Sequence, residues 1–130
     1  MAGFLPKVIP SVTATAVSDG GATETVVLTS RPVSTPGPHS SVTLFGVVNL
    51  TVGTNGVAAV VRVRRGSLTG TEIGTATTDT GVATDKYTIP FQVSDANIDE
   101  ANAVYVVTVQ ETSASADGTV NYVTLGGLIT

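Results

Sequence analysis

The sequence predicts an all-β protein: an antiparallel β-sandwich or jelly roll of about eight strands with an extended amino-terminal arm. Thr, Val and Gly dominate the 130 residues, and Thr and Val favour a pleated surface. Short β-prone segments alternate with turn residues at regular spacing, which is typical of sandwiches and jelly rolls. No segment shows an apolar period of 3.6 residues between helix caps. The length suits one domain.

The predicted arm covers residues 1–21, and the predicted sandwich domain covers residues 22–130. Pro6 and Pro10 interrupt the arm, whereas its middle, Val8–Val17, is rich in β-forming residues. An extended segment of this kind can add a strand to the exposed sheet edge of a neighbour. The side chains expected to fill alternate pockets on that partner are Val8, Ile9, Val12 and Val17.

Seven further strands are predicted between turn signals, at residues 23–29, 41–53, 57–65, 71–76, 86–94, 103–112 and 119–129. Three prolines within residues 31–39 exclude both helix and ladder there. Asn55-Gly56 supplies the positive φ angles of a tight hairpin turn. Pro90 marks its strand as an edge strand or a bulged one. Residues 95–101 are predicted to be a loop, with Asp95 capping at most one helical turn.

Composition excludes several classes of protein. Cysteine is absent, so disulfide scaffolds and thiolate metal sites are ruled out. The net charge of −4 argues against a nucleic-acid partner. No apolar run approaches the roughly 18 residues of a membrane-spanning helix, and Lys7 and the nearby prolines break any signal-peptide segment, so we expect neither membrane insertion nor Sec export.

Several strands are apolar on both faces, although a two-layer sandwich needs only one apolar face per strand. Charged residues make up only 12% of the chain, about half the ~25% of ordinary soluble domains. We therefore expect a homo-oligomer in which another subunit covers these strands. The alternative is that they are Val-rich strands with scattered exposed apolar residues. The candidate subunit-interface residues are Phe45, Val47, Val104, Val106, Val123, Leu125 and Ile129.

No residue pattern predicts catalysis, a metal or a cofactor. His39 is the single histidine, and no nucleophile-elbow motif accompanies it. Asp95, Asn97 and Asp99 copy the first oxygen-ligand positions of an EF-hand loop, but Glu100 replaces the required glycine. A capped turn is therefore favoured over a calcium loop at Asp95–Glu100.

Arg62, Arg64 and Arg65 form the only basic cluster. Strand alternation places Arg62 and Arg64 on one face. A solvated strand face and a stripe that forms ion pairs with an acidic neighbour, in the same or another subunit, are both compatible with this pattern. Three arginines without interleaved aromatic residues make a poor nucleic-acid footprint on an acidic chain.

The segments Val61–Gly74, Ile89–Asp95 and Tyr105–Val109 resemble the strands and turns of small trimer-forming jelly rolls of virions. The whole chain also resembles the decoration, or cement, proteins of tailed-phage capsids, which are short, cysteine-poor and rich in Thr, Gly and Val. The resemblance implies a homotrimer on the capsid exterior whose arm adds a strand to the lattice of the major capsid protein. A phage tail or baseplate component and a surface adhesin-type carbohydrate-binding sandwich are the alternatives.

Overall fold

A computed structural model describes residues 7–18, 23–34, 40–51, 53, 58–77, 85–98, 103–111 and 118–130. These residues form eight strands and no helix: β1 (Lys7–Ser18), β2 (Thr25–Thr29), β3 (Ser40–Thr51), β4 (Ala59–Arg65), β5 (Glu72–Thr77), β6 (Lys86–Ile98), β7 (Tyr105–Glu111) and β8 (Thr119–Ile129). The predicted all-β class is confirmed, and each predicted strand overlaps an observed one.

The strands form two four-stranded antiparallel sheets. The first sheet has the order β1-β8-β3-β6 and the second has the order β2-β7-β4-β5. Successive strands alternate between the sheets except for the β4–β5 hairpin, and this arrangement of eight strands in two sheets is the jelly roll. β6 is an edge strand, as Pro90 predicts.

The β4–β5 hairpin turns through Gly66, which adopts a positive φ of 90° that glycine tolerates without strain. The Arg65 N–H donates to the Thr71 carbonyl at 2.9 Å, and the Gly70 N–H donates to the Ser67 carbonyl at 2.9 Å. The turn therefore places the end of β4 directly beside the start of β5.

The hydrophobic core lies between the two sheets and consists mainly of aliphatic side chains. β3 shows the cause most clearly, because every second residue from Val42 to Leu50 turns inward. Its inward side chains Val42, Leu44, Val48 and Leu50 are fully buried. Each buried aliphatic side chain of this size contributes roughly 1.5–3 kcal/mol relative to an exposed one.

An irregularity in β8 brings both ends of that strand into the core. Tyr122 lies opposite Asn49, whereas Val120 lies opposite Leu50, so Asn121 is an extra residue on β8. A bulge of this kind shifts the phase of side-chain alternation. Val120 and Val123, which would face opposite ways in a regular strand, are both fully buried.

The prediction that Val123, Leu125 and Ile129 lie at a subunit interface is wrong. Their side chains are 0%, 1% and 4% exposed within the single chain. They pack in its own core with residues of the second sheet. Strand alternation identified them correctly as one face of β8, but it could not show which face points inward.

Val106 is also wrongly predicted as an interface residue, because its side chain is only 4% exposed. β7 is the second strand of its sheet, between β2 and β4. The core covers its inner face, and side chains of the same chain cover its outer face, where Thr108 is fully buried. Val104 is half-buried just before β7, and its carbonyl accepts the Gly66 N–H at 2.7 Å.

β6 continues to Ile98, so the predicted loop and capped turn starting at Asp95 are wrong over residues 95–98. Asp95 lies on the strand with its side chain 5% exposed. Its carboxylate finds partners inside the sandwich and does not cap a turn. Asp99 and Glu100 lie outside the described residues.

The two sheets also approach each other at the side formed by β5 and β6. Gly74 on β5 lies against Val93 on β6, so closely that a Cβ at position 74 would overlap the Val93 side chain. Glycine at this position lets the edge strands of the two sheets close that side of the core.

Candidate functional site

The outer face of the second sheet carries a network of ion pairs built around Glu24. The Arg64 guanidinium donates to both Glu24 carboxylate oxygens, from Nε at 2.6 Å and from Nη2 at 2.9 Å. The Thr108 hydroxyl donates to the same carboxylate at 2.7 Å. Arg62 Nη1 lies 3.5 Å from Glu24, and Arg62 Nε lies 3.0 Å from Glu72. The network therefore joins the residue before β2 to β7, β4 and β5.

Burial and neighbouring charge shift the pKa of Glu24 in opposite directions. The hydrogen bonds from Arg64 lower the pKa of Glu24 below its ordinary value of 4.5, and partial burial opposes this effect. The carboxylate in turn raises the pKa of Arg64. Because the Glu24 side chain is only 17% exposed, the ion pair is much less screened than a surface pair.

Arg65 points the other way from Arg62 and Arg64 and holds the sheets together. It donates to both oxygens of Asp95, from Nε at 2.7 Å and from Nη2 at 2.6 Å. The hydroxyl of the fully buried Tyr105 donates to Asp95 Oδ2 at 2.9 Å. Asp95 belongs to the first sheet, whereas Arg65 and Tyr105 belong to the second.

The structure brings Arg62, Arg64 and Arg65 close to carboxylates of their own chain. Arg62 and Arg64 share one face, as alternation predicts, and Arg65 pairs on the opposite face. The Asp95 carboxylate is occupied by Arg65 and Tyr105, which argues against its use as a calcium ligand. Among the described residues, no group of three or more His, Asp or Glu side chains is placed to hold a metal ion.

The outer face of the first sheet differs in kind, because its rows from Thr43 to Asn49 are neutral and partly apolar. Phe45 is 46% exposed, Tyr122 is 38% exposed and Val8 is 69% exposed. Val47 is half-buried on the same face. The predicted interface residues Phe45 and Val47 thus lie at the surface of the single chain. We call the rows of outward side chains from Thr43 to Asn49 on β3, with their neighbours on β1, β8 and β6, the neutral face.

Amides and hydroxyls order one end of the neutral face. Asn121 Nδ2 donates to Asn49 Oδ1 at 2.9 Å and to Thr51 Oγ1 at 2.8 Å. Asn49 Nδ2 donates to Thr88 Oγ1 at 2.9 Å. Tyr122 lies beside this cluster, opposite Asn49 across the strand pair.

The predicted arm contributes β1, which pairs antiparallel with β8 of its own chain from Lys7 to Ser18. Ile9 is buried in the core, and Val8 is exposed. The backbone of Val12 pairs with Leu125 and that of Val17 with Val120, while the surroundings of these two side chains lie outside the described part of the structure. The strand uses one edge for β8, and it forms an edge of the first sheet.

His39 and the Asn55-Gly56 turn lie outside the described residues. Over the part of the chain that the structure describes, no helix is long and apolar enough to cross a membrane.

Sequence reasoning missed the partners that complete these networks, Glu24, Glu72, Tyr105 and Thr108. Glu24 lies next to a turn signal, where an acidic residue is ordinarily solvated. Tyr105 follows the alternation of a core residue, and its hydroxyl partner is distant in sequence. The one available signal was the presence of a polar threonine at position 108 in the most apolar strand.

The fold defines the class of protein, a two-sheet jelly roll. No protein-family model and no curated protein matches the chain. Solved structures of infectious bursal disease virus match its fold: the Gx strain with a TM-score of 0.54 and 15% identity, and the T13 viral particle with a TM-score of 0.56 and 11% identity. A subviral particle of the VP2 protein of that virus matches with a TM-score of 0.56 and 14% identity.

Each match covers 95% of this chain but only 36%, 37% and 32% of the viral chains, respectively. The chain therefore spans about a third of the length of these viral chains. At these identities the similarity establishes a jelly-roll fold of the kind found in viral capsids.

Proposed function

We propose that this chain is a structural protein of a virus particle that decorates and stabilises a phage capsid exterior as an oligomer, with a trimer as the expected state. The observation that carries the proposal is a capsid-type jelly roll with two unlike outer faces. One face is occupied by ion pairs within the chain, and the other exposes Phe45, Tyr122 and Val8. Exposed apolar groups of this kind favour a contact surface.

Binding to a shell stabilises it by mass action, because a ligand that binds only the assembled state shifts the equilibrium toward that state. Many copies on one lattice add avidity to a weak single contact. A decoration protein therefore needs no catalytic group. It needs a surface for the major capsid protein and a surface for its own copies.

We assign contact with the major capsid protein to the free edge of β1. One edge of β1 pairs with β8, and no strand of the described chain pairs with the other edge. Such an edge can add a strand of the capsid protein by backbone hydrogen bonding. In this form of the predicted arm contact, β1 stays paired with β8 while its other edge binds the capsid protein.

Copy number tests the proposed function. Quantitative mass spectrometry of purified particles should find hundreds of copies of the chain per particle. Tens of copies would instead indicate a tail or baseplate component, and absence from particles would refute a virion role.

Two proline variants test the contact at the edge of β1. Successive N–H groups of a strand point to opposite edges, so one of Thr13→Pro and Ala14→Pro removes a donor to β8 and the other removes an outward donor. The outward variant should retain the wild-type unfolding midpoint and lose co-sedimentation with capsid shells. If this stable variant still binds shells with wild-type affinity, the edge contact is wrong.

A carbohydrate-binding role is the second candidate, favoured by the exposed Tyr122 ring beside the amides of Asn49 and Asn121. Sugars stack on aromatic rings, and their hydroxyls both donate hydrogen bonds to amide oxygens and accept them from amide N–H groups. A glycan array with wild-type protein and Tyr122→Ala tests this role. Glycan binding that the variant loses would support it, and no binding by the wild type would refute it.

A further inference from the structure

We propose that the neutral face packs against a second copy of this chain, with Phe45 in the contact. The inference rests on the oligomeric, structural role proposed above. It makes the contact between copies a two-fold one, because a face that meets the same face of a second copy forms a dimer and not a trimer. Phe45, Tyr122 and Val8 are the large apolar side chains exposed there. The three lie on β3, β8 and β1, so the apolar groups extend across the sheet.

The charge distribution favours a copy of the same chain on this surface. The chain has a net charge of −4, so two copies repel each other, and contact through an uncharged surface keeps their like charges apart so that salt can screen them. From Thr43 to Asn49, the residues opposite β3 on β6 and β8 with outward side chains are uncharged: Ser94, Gln92, Pro90, Thr88, Leu128, Gly126, Thr124 and Tyr122. Lys86 lies beyond them, opposite Thr51.

The charged side chains on the outer face of the second sheet form ion pairs within the chain. Glu24 and Glu72 meet Arg62 and Arg64 on its outer face. Contact through that face would require the chain to bury these charges against a second identical set. The neutral face carries no such cost, because its polar groups are hydroxyls and amides, several of which are bonded to one another.

The edges of the first sheet are less suited to contact between copies. Pro90 lies in the middle of edge strand β6 and lacks an N–H group, so a ladder added along that edge is interrupted. The other edge belongs to β1, which the proposed function assigns to the capsid protein. The face of the first sheet is therefore the remaining surface on it for a second copy.

The size of the neutral face indicates how strongly two copies should associate. Four strands spaced about 4.8 Å apart, and rows from Thr43 to Asn49 that rise about 3.3 Å per residue, give roughly 19 by 20 Å, or about 400 Å² per copy. A contact of about 800 Å² in total is smaller than a standard specific interface and falls in the range of weak, transient contacts. We therefore expect dissociation constants in the micromolar range for two free copies. Avidity on a lattice would strengthen this binding further.

Sedimentation velocity of the purified full chain from about 1 to 100 µM tests the proposal. The wild type should exceed the mass of one chain, 13.1 kDa, as concentration rises. Phe45→Ser removes an aromatic ring that is half exposed in the free chain, and should weaken association by about tenfold or more. Leu68→Ser is the matched control, because Leu68 is 39% exposed in the β4–β5 turn, away from the neutral face. This control should associate like the wild type.

Unfolding midpoints show whether each variant is folded. If Phe45→Ser does not fold, Tyr122→Ser takes its place with the same expectation. A wild type with single-chain mass over the whole range would overturn the proposal, as would equal association of the wild type and the neutral-face variant. Particle copy number is measured separately, so failure of the shared face and failure of the virion role are distinguishable.

Discussion

Replacement of Asp95 by alanine tests how the two sheets are held together. Asp95 lies on β6 of the first sheet, and its carboxylate accepts three hydrogen bonds from the second sheet, two from Arg65 and one from Tyr105. The variant removes the shared acceptor and leaves both donors in place. The consequence depends on which donor can reach water.

The two donors differ in exposure, and this difference determines how much stability Asp95→Ala should lose. The Arg65 side chain is 33% exposed and can be hydrated by a small movement. Tyr105 is fully buried, so loss of the carboxylate that accepts from its hydroxyl costs about 1–3 kcal/mol. Removing one partner of a buried ion pair typically costs about 3–5 kcal/mol. Discounting for the exposure of Arg65, we expect Asp95→Ala to lower the free energy of unfolding by about 3 kcal/mol.

Urea unfolding measures this loss. With a slope of about 2 kcal/mol/M, the midpoint should fall by roughly 1.5 M. Tyr105→Phe should cost about 1 kcal/mol in the wild type. In Asp95→Ala it should cost nothing and should recover part of the loss, because the carboxylate that accepts from the hydroxyl is already absent there. A loss below about 1 kcal/mol for Asp95→Ala, or additive effects in the double variant, would refute the assignment of Asp95 as the polar link between the sheets.

Three further predictions concern the second sheet. Because the pKa of Glu24 is lowered in the folded protein, the ionised carboxylate contributes to stability above the ordinary pKa of 4.5, and this contribution is lost as the pH falls through the folded pKa. Glu24→Gln should therefore lower the free energy of unfolding by about 1–2 kcal/mol at neutral pH. Chemical unfolding measured from about pH 7 to 3 should show the difference between the variant and the wild type shrinking. Thr108→Val removes a buried donor to Glu24 and should lower the unfolding free energy by about 1 kcal/mol in the same assay; an unchanged midpoint would contradict that bond. Gly74→Ala should lower the free energy of unfolding by about 1–3 kcal/mol, because the added methyl group would overlap the Val93 side chain. In thermal melts, the same substitution should cost less when Val93→Ala is also present. An equal cost in both backgrounds would contradict this contact.

Local patterns were sufficient to predict most of the strands. β8 was predicted with its observed bounds, because a turn signal precedes a run rich in Val, Leu and Ile. Pro90 predicted an edge strand or a bulged one, since a central strand needs the N–H that proline lacks, and β6 is an edge strand. The extension of β6 to Ile98 was missed because Asp95 is a turn former locally, and the partner of its carboxylate, Arg65, is 30 residues away in sequence.

The candidate site was less predictable because it depends on pairs that are distant in sequence. Alternation predicted that Arg62 and Arg64 share a face, but the partner Glu24 lies 40 residues from Arg64. Alternation also predicted two apolar faces on β8, and the extra residue Asn121 places Val120 and Val123 together in the core. Such pairings are decided by register between strands, which no local window contains.

The sequence by itself determined the all-β class, the approximate position of each strand and the low surface charge, because these depend on the preferences of neighbouring residues and on composition. The tertiary structure alone decided which apolar faces are covered. Ion pairs of the same chain cover the outer face of β7, whereas Phe45 on β3 stays exposed. The physical reason is that burial is a property of the space between elements, which the packing of two sheets defines.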